Sequence, residues 1–301
     1  MRVTLIHNPG AGHQGEADAP RLVKLVEAAG HAVRYQSAKD EDWKDTLRAS
    51  ADVVVVAGGD GTVARVTRRM VGRGVPVALL PSGTANNIAR TLGLVERPFE
   101  ELVRGWENAR RVKLDVGIAT GPWGERFFVE GVGLGLFASL LSRPKRKKKN
   151  STNVVEGALH RLKKAAARCQ PVELVAALDG EDISGRYLLL EAVNLRYVGP
   201  NLFLAPDSQP GDGQFDVVLV TEAERARLLE YLEKWQENRE RLAVLPTRRG
   251  KRLQIEWTGF ELHIDDKLRP KKNVEPEEIA GLVEVRLGGA AVEFLAPDGK
   301  D

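Results

Sequence analysis

Residues 52–57 read Asp-Val-Val-Val-Val-Ala. Four consecutive β-branched residues leave no polar face, so the segment suits a strand covered on both sides, as in a parallel sheet flanked by helices. The flanking segments extend that reading. Residues 3–6 are a short β-rich run, residues 18–29 place Leu22, Val23, Leu25 and Val26 near one helical face, and residues 32–35 form a weaker strand. Residues 62–71 return to helical spacing, residues 75–80 are another buried strand, and a helix is expected near 85–92. Repeated strand, turn and helix predict an α/β domain with a doubly wound parallel sheet.

After about residue 112 the texture changes. Residues 112–118, 126–131, 172–178, 186–193, 215–220, 252–257, 260–264, 282–287 and 291–295 are strand-like and closely spaced, which predicts an antiparallel β-sandwich. One long polar helix over 222–241 interrupts them. The expected division is residues 1–118 for the α/β domain and 119–301 for the sandwich, with the final strands packing back on the first domain. A cleft between two domains is the default ligand site.

Composition narrows the class. With 43% hydrophobic and 29% charged residues over 301 positions, the chain is neither disordered nor collagen-like and can bury two cores. Its single cysteine, Cys169, excludes an intramolecular disulfide and suits a reducing compartment. No apolar run approaches the roughly 20 residues of a membrane helix, and the apolar stretch at the start is too short for a secretory signal. A cytoplasmic protein is expected.

Three turns in the first half share one design: each follows a strand, carries glycine and opens a helix. They are Asn8-Pro9-Gly10-Ala11-Gly12, Gly58-Gly59-Asp60-Gly61-Thr62 and Ser82-Gly83-Thr84-Ala85-Asn86. At the carboxyl edge of a parallel sheet they would lie side by side. Glycine lets backbone approach an anion closely, and helix N-terminal N–H groups bind phosphate. Thr62 and Thr84 add hydroxyl donors. Each turn taken alone is equally a good strand–helix connection; three at one edge favour a phosphate cradle. The pattern is neither a Walker A loop nor the GxGxxG fingerprint. Asp60 would repel phosphate unless a cation intervenes, which points to Mg²⁺.

GGDGTV, PSGTANNIARTLG and NPGAG, in their order and spacing, resemble the lipid kinases that share the diacylglycerol kinase catalytic domain, a family that includes soluble bacterial diacylglycerol kinases and the sphingosine kinases. The resemblance continues through Leu114-Asp115-Val116-Gly117, residues 128–135 (FVEGVGLG) and residues 205–217 (APDSQPGDGQFDV). GGDGT alone is shared with NAD kinases and phosphofructokinases. The resemblance implies that ATP contacts Asn8, Pro9, Gly10, Ala11, Gly12, Gly58, Gly59, Asp60, Gly61, Thr62, Val63, Ala64 and Thr84, with Ser37 where the family often has a threonine. It also implies a metal–water network at Asp60 and Asp115, with Asn87 where soluble diacylglycerol kinases usually carry a third Asp. Asp212, in Pro210-Gly211-Asp212-Gly213, resembles a structural Mg²⁺ loop completed by the carbonyls of Gln209 and Gln214.

The family's general base lies in an Asp-Gly-Glu motif. The corresponding stretch here is His263-Ile264-Asp265-Asp266-Lys267. Asp265 is the expected base for the substrate hydroxyl, and Asp60 the second catalytic acid. Asp266 replaces Gly, and Lys267 replaces Glu, where it could contact phosphate instead. His7 and His263 are expected to be structural. The runner-up readings are an NAD kinase and a non-catalytic, membrane-associated nucleotide binder.

The net charge of +3, from 45 Lys+Arg against 42 Asp+Glu, hides one cluster. Arg143, Lys145, Arg146, Lys147, Lys148 and Lys149 fall together, and taking six positive charges from +3 leaves −3 for the rest. The following helix, residues 154–168, has Asn153 as its expected cap and groups Val155, Ala158, Leu159, Leu162, Ala165 and Ala166 on one face; Arg161, Lys163, Lys164 and Arg168 lie elsewhere on it. A basic amphipathic helix after a polybasic run suits an anionic bilayer. Residues 143–168 are therefore the expected peripheral membrane contact. Nucleic acid is disfavoured because no aromatics interleave the basic residues. A homodimer is left open.

Overall fold

The computed structural model describes residues 1–11, 18–142, 154–237, 244–270 and 280–297. Gly12, the basic run at 143–149 and Asn153 lie outside the described residues. The chain divides into two compact units, Met1–Val116 with the C-terminal stretch from Ala290, and Gly117–Gly289. In chain order the elements begin with β1 (Arg2–His7), α1 (Ala19–Ala28), β2 (Ala32–Ser37), α2 (Trp43–Thr46), β3 (Val53–Gly58) and α3 (Asp60–Met70). They continue with β4 (Val77–Pro81), α4 (Asn87–Thr91), α5 (Phe99–Gly105), β5 (Arg110–Gly121), β6 (Gly124–Phe128), β7 (Gly131–Gly135), α6 (Leu136–Ser142) and α7 (Val154–Ala166). Next come β8 (Val172–Leu174), β9 (Ala176–Leu178), β10 (Glu181–Asp182), β11 (Gly185–Val193), β12 (Phe215–Thr221) and α8 (Arg225–Glu237). The last are β13 (Thr247–Gly250), β14 (Arg252–Trp257), β15 (Leu262–Ile264), β16 (Lys267–Arg269) and β17 (Gly281–Ala296).

In the first unit the strands run in the order β4–β3–β1–β2, all parallel, and the end of β17 adds a parallel partner to β4 through Phe294 and Val77. All six residues of β3 are buried, as a strand covered on both faces requires. Helix α1 starts where Asp18 accepts the N–H of Arg21 at 2.7 Å, with a proline in its first turn, and it buries Leu22 and Val26. The chain passes from β1 to β2 on one side, then returns to place β3 on the other. The carboxyl ends of β1 and β3 are therefore a topological switch point, where open α/β sheets hold ligands.

The second unit is a sandwich. One antiparallel sheet has the order β13–β12–β11–β7–β15–β16, with β8 on β11. The other contains β10, β9, β14 and the first part of β17, and β5 and β6 form a hairpin. Leu190, Ala192, Phe215 and Val217 meet Ile255, Trp257, Val283 and Val285 in one core. The other face of the first sheet, through Leu189, Val193, Val218 and Val220, packs on α6, α7 and α8.

Two helices differ from the sequence reading. The long polar helix expected over about 222–241, of which 238–241 lie outside the described residues, is α8, which buries Leu228, Tyr231, Leu232 and Trp235; its apolar residues recur at helical spacing within a charged background that masks them. In α7 the apolar stripe of Leu159, Leu162, Ala165 and Ala166 is buried against α8 and the sheet. That face is part of the core and is not offered to a bilayer.

Phe215 is fully buried in the sandwich core. Phe215→Ala is expected to cost about 3–5 kcal/mol, read as a lower urea midpoint with an unchanged slope.

Candidate active site

The three glycine-rich turns come together at the carboxyl ends of β1, β3 and β4. Asn8 follows β1, and its backbone N–H donates to the Ala57 carbonyl at 2.9 Å. Its side chain ties two turns: Nδ2 donates to Thr62 Oγ1 at 3.0 Å, and Oδ1 accepts the Gly10 N–H at 3.1 Å. After β3, Gly59 caps α3, and its carbonyl accepts the N–H groups of Thr62 and Val63. The turn after β4 touches this one directly, since a Cβ added to Gly83 would lie 2.3 Å from Gly59 Cα. Asn86, with φ 53°, closes the Gly83 turn by accepting its N–H at 2.9 Å and donating to its carbonyl at 2.8 Å.

Asp60 links the two glycine turns. Its Oδ1 accepts the N–H of Ile88 at 3.0 Å, at the start of α4. Burial pushes the Asp60 carboxyl above its usual range, against the pull of backbone N–H groups at Ile88, Asn87 and Asn86. At the first position of α3, its charge also faces the positive helix end. Of the other expected residues, Pro9, Gly10, Gly61 and Thr84 are exposed at the turns, and Asn8, Ala11 and Ser37 are half-buried. Gly58 and Thr62 are buried, and Val63 and Ala64 lie inside the core. Asn87 and Asp115 are buried in the same unit.

Among the described residues no group of three or more His, Cys, Asp or Glu side chains could hold a metal ion. The donors at Asp60, Asn87 and Asp115 are all hard oxygens. They suit Mg²⁺ that keeps most of its water and is shared with phosphate, and not an all-protein cage.

In the second unit, Asp265 occupies the turn between β15 and β16 with φ 48°. Its Oδ1 accepts the N–H groups of Val129, Glu130 and Gly131 at 3.1, 2.8 and 3.3 Å, and Oδ2 accepts that of Val129 at 3.3 Å. Its own N–H donates to the Gly131 carbonyl at 2.8 Å. A carboxylate so held has a fixed direction. Lys267 pairs with Asp266 at 2.7 Å, a solvent-exposed contact.

Asp212 sits in a loop closed by its own hydrogen bonds. One of its oxygens accepts the Gln214 N–H at 2.9 Å, closing the turn, and the other pairs with the Arg249 guanidinium. The Gln209 carbonyl accepts the Asp212 N–H. Arg249 Nε also lies 3.6 Å from the buried Asp216, whose carboxyl burial pushes up. The loop thus pairs its carboxylate with a cation of the protein's own.

Three residues escaped the sequence reading. The Lys39 ammonium leans over Gly10, 3.3 Å from where a Cβ would stand, and its backbone N–H bonds Ser37 Oγ; a lysine two residues past the β2 terminus was the available signal. Asn86 and Arg249 had no local signal, because each acts across a turn or between strands.

The first unit thus presents three glycine-rich turns at one edge of a doubly wound sheet, and the second a sandwich with one clamped carboxylate. Residues 2–119 match the family model of the diacylglycerol kinase catalytic domain, and residues 146–268 match the YegS C-terminal NAD kinase beta sandwich-like domain. The chain thus carries a diacylglycerol kinase catalytic domain followed by a YegS C-terminal domain. It is 25% identical over 279 residues to a diacylglycerol kinase of Mycobacterium tuberculosis, covering 88% of each chain. It is 25% identical over 239 residues to a diacylglycerol kinase of Bacillus subtilis, covering 76% of each. A crystal structure of a diacylglycerol kinase from Bacillus anthracis shares the fold with a TM-score of 0.66 at 19% identity, over 99% of this chain and 97% of that one.

Arg249→Met is expected to destabilise the protein by about 1 kcal/mol at neutral pH, the pair being partly exposed. Burial already favours protonated Asp216, and losing Arg249 adds to the penalty on its ionised form and on Asp212. The deficit should therefore shrink as pH falls toward 4, in thermal melts of both proteins across that range.

Proposed function

We propose that this protein is an ATP- and Mg²⁺-dependent kinase that phosphorylates the hydroxyl of a lipid, diacylglycerol or a close analogue. The observation that carries the reading is the convergence of three glycine-rich turns, laced by Asn8, Asp60 and the Gly59–Gly83 contact, at the point where the strand order reverses. Such an edge offers backbone N–H groups and close approach to a polyphosphate, and the Lys39 ammonium adds a positive charge beside Gly10.

Phosphoryl transfer needs positioning, charge neutralisation and a proton acceptor. Asp60, Asn87 and Asp115 would hold the hydrated cation, which neutralises charge on the transferring group. Asp265 receives the proton of the lipid hydroxyl. Its carboxylate is held in one direction by the N–H groups of Val129, Glu130 and Gly131. The lipid oxygen forms its bond to the γ-phosphorus, the bond to the β-phosphate oxygen breaks, and ADP leaves. NAD is the second candidate acceptor, on the strength of the shared GGDGT and of the NAD kinase-like description of the second domain.

The acceptor is reached at an anionic bilayer. With the α7 stripe buried, attraction is electrostatic, through the basic residues at 143–149 and the exposed Arg161, Lys164 and Arg168 of the α7 region. Each such charge near the surface is worth about 1 kcal/mol.

Assay with labelled ATP against a lipid panel and NAD is expected to label lipid. Asp265→Asn should lower that rate by about 10²–10⁴-fold; an undiminished rate would remove Asp265 as base, and label in NADP alone would replace the acceptor. Co-sedimentation should rise with the phosphatidylglycerol content of phosphatidylcholine vesicles and fall with salt; binding indifferent to both would sink the docking reading.

A further inference from the structure

Beneath the Asp265 turn lies a buried pair of ionisable groups that no step above uses. Glu191 on β11, Gly133 on β7 and His263 on β15 stand in register across three adjacent strands. Glu191 reaches over Gly133 to His263, where Oε1 and Nε2 are 2.9 Å apart. The reach exists because residue 133 has no side chain: a Cβ there would lie 2.1 Å from the Glu191 carboxyl. The other ring nitrogen of His263, Nδ1, is 2.9 Å from the backbone carbonyl of Asp265.

The chemistry of these bonds sets the proton positions. A carbonyl oxygen only accepts, so Nδ1 carries a hydrogen and donates it to Asp265. Nε2 then either donates to an ionised Glu191 or accepts from a protonated one; in both cases one proton lies between them. Burial raises the Glu191 carboxyl. Burial alone would lower the His263 imidazole, but the adjacent Glu191 carboxylate raises it. The remaining charged groups on the turn and on β16 are Asp265, Asp266, Lys267 and Arg269; β7 brings glycine, valine and leucine. A salt bridge this deep is weak evidence for stability, because removal from water offsets its attraction. Its placement has another consequence.

We propose that Glu191 and His263 are positioning residues for Asp265: the pair fixes the imidazole so that Nδ1–H holds the Asp265 peptide while the amides of residues 129–131 hold its carboxylate. The proposal rests on Asp265 being the general base. The backbone of Asp265 is then gripped from the sheet and its side chain from the neighbouring turn, so that its carboxyl oxygens keep one orientation through turnover.

The test uses the full-length protein and two variants. Replacing both partners by apolar groups avoids stranding one charge, so Glu191→Leu combined with His263→Leu is expected to keep the melting temperature near wild type. It should lower kcat at least tenfold with an unchanged KM for ATP, and speed hydrogen exchange at the amides of Val129, Glu130 and Gly131 at least tenfold. Glu191→Gln, which still bonds Nε2, should keep kcat within threefold of wild type. A double variant with wild-type kcat and wild-type exchange protection would overturn the proposal and leave the pair a core filler. If Asp265→Asn shows that Asp265 is not the base, the exchange measurement decides alone: lost protection supports the grip on Asp265, and retained protection refutes it.

Discussion

Gly59 and Gly83 meet backbone to backbone, and the geometry of the first unit's edge follows from that contact. With any side chain at residue 83 the two turns could not close to this distance. Because they do close, the carboxyl of Asp60 comes within 3.0 Å of the Ile88 N–H, and the start of α4 is satisfied by an acid from another turn. A five-residue helix would not stand by its own propensity; the acid and the glycine contact hold it in place. The second unit repeats the device. There an absent side chain at Gly133 lets Glu191 cross a strand to His263. In both places the functional geometry depends on space left empty by glycine.

The acids of the candidate site are engaged with the protein's own donors. Asp60 accepts backbone N–H groups, Asp265 accepts three, and Asp212 is paired with a guanidinium. Asp60 and Asp265 are each oriented by backbone N–H groups from elsewhere in the chain. Asp212 differs from the others, since only there does a full positive charge from the protein, Arg249, take the place at the carboxylate.

The parallel sheet was legible because its signal is local: four β-branched residues in a row at 53–56 can hardly be anything but a covered strand. The three turns were legible for the same reason, each being a short glycine pattern after a strand. What escaped lies between strands or turns distant in the chain. Glu191 and His263 are 72 residues apart, and Asp212 and Arg249 are 37 apart; nothing near either member reveals its partner. The buried stripe of α8 was hidden for another reason. Leu228, Tyr231, Leu232 and Trp235 are spaced for a helix face, but Glu230, Glu233 and Lys234 between them lower the mean hydropathy until the segment reads as polar.

The departure from Asp-Gly-Glu can be weighed in backbone terms. A glycine in such a turn is replaceable only where its φ is negative. Here the positive φ falls on Asp265, at 48°, and not on Asp266. Aspartate is among the few residues that adopt this region readily, so replacing the motif's glycine by Asp266 adds no backbone strain. Lys267, in the place of the motif's glutamate, pairs outward with Asp266 and makes no demand on the carboxyl of Asp265. The two substitutions lie on the solvent side of the turn, whereas the backbone N–H groups of residues 129–131 and the ring of His263 hold Asp265 from the strand side.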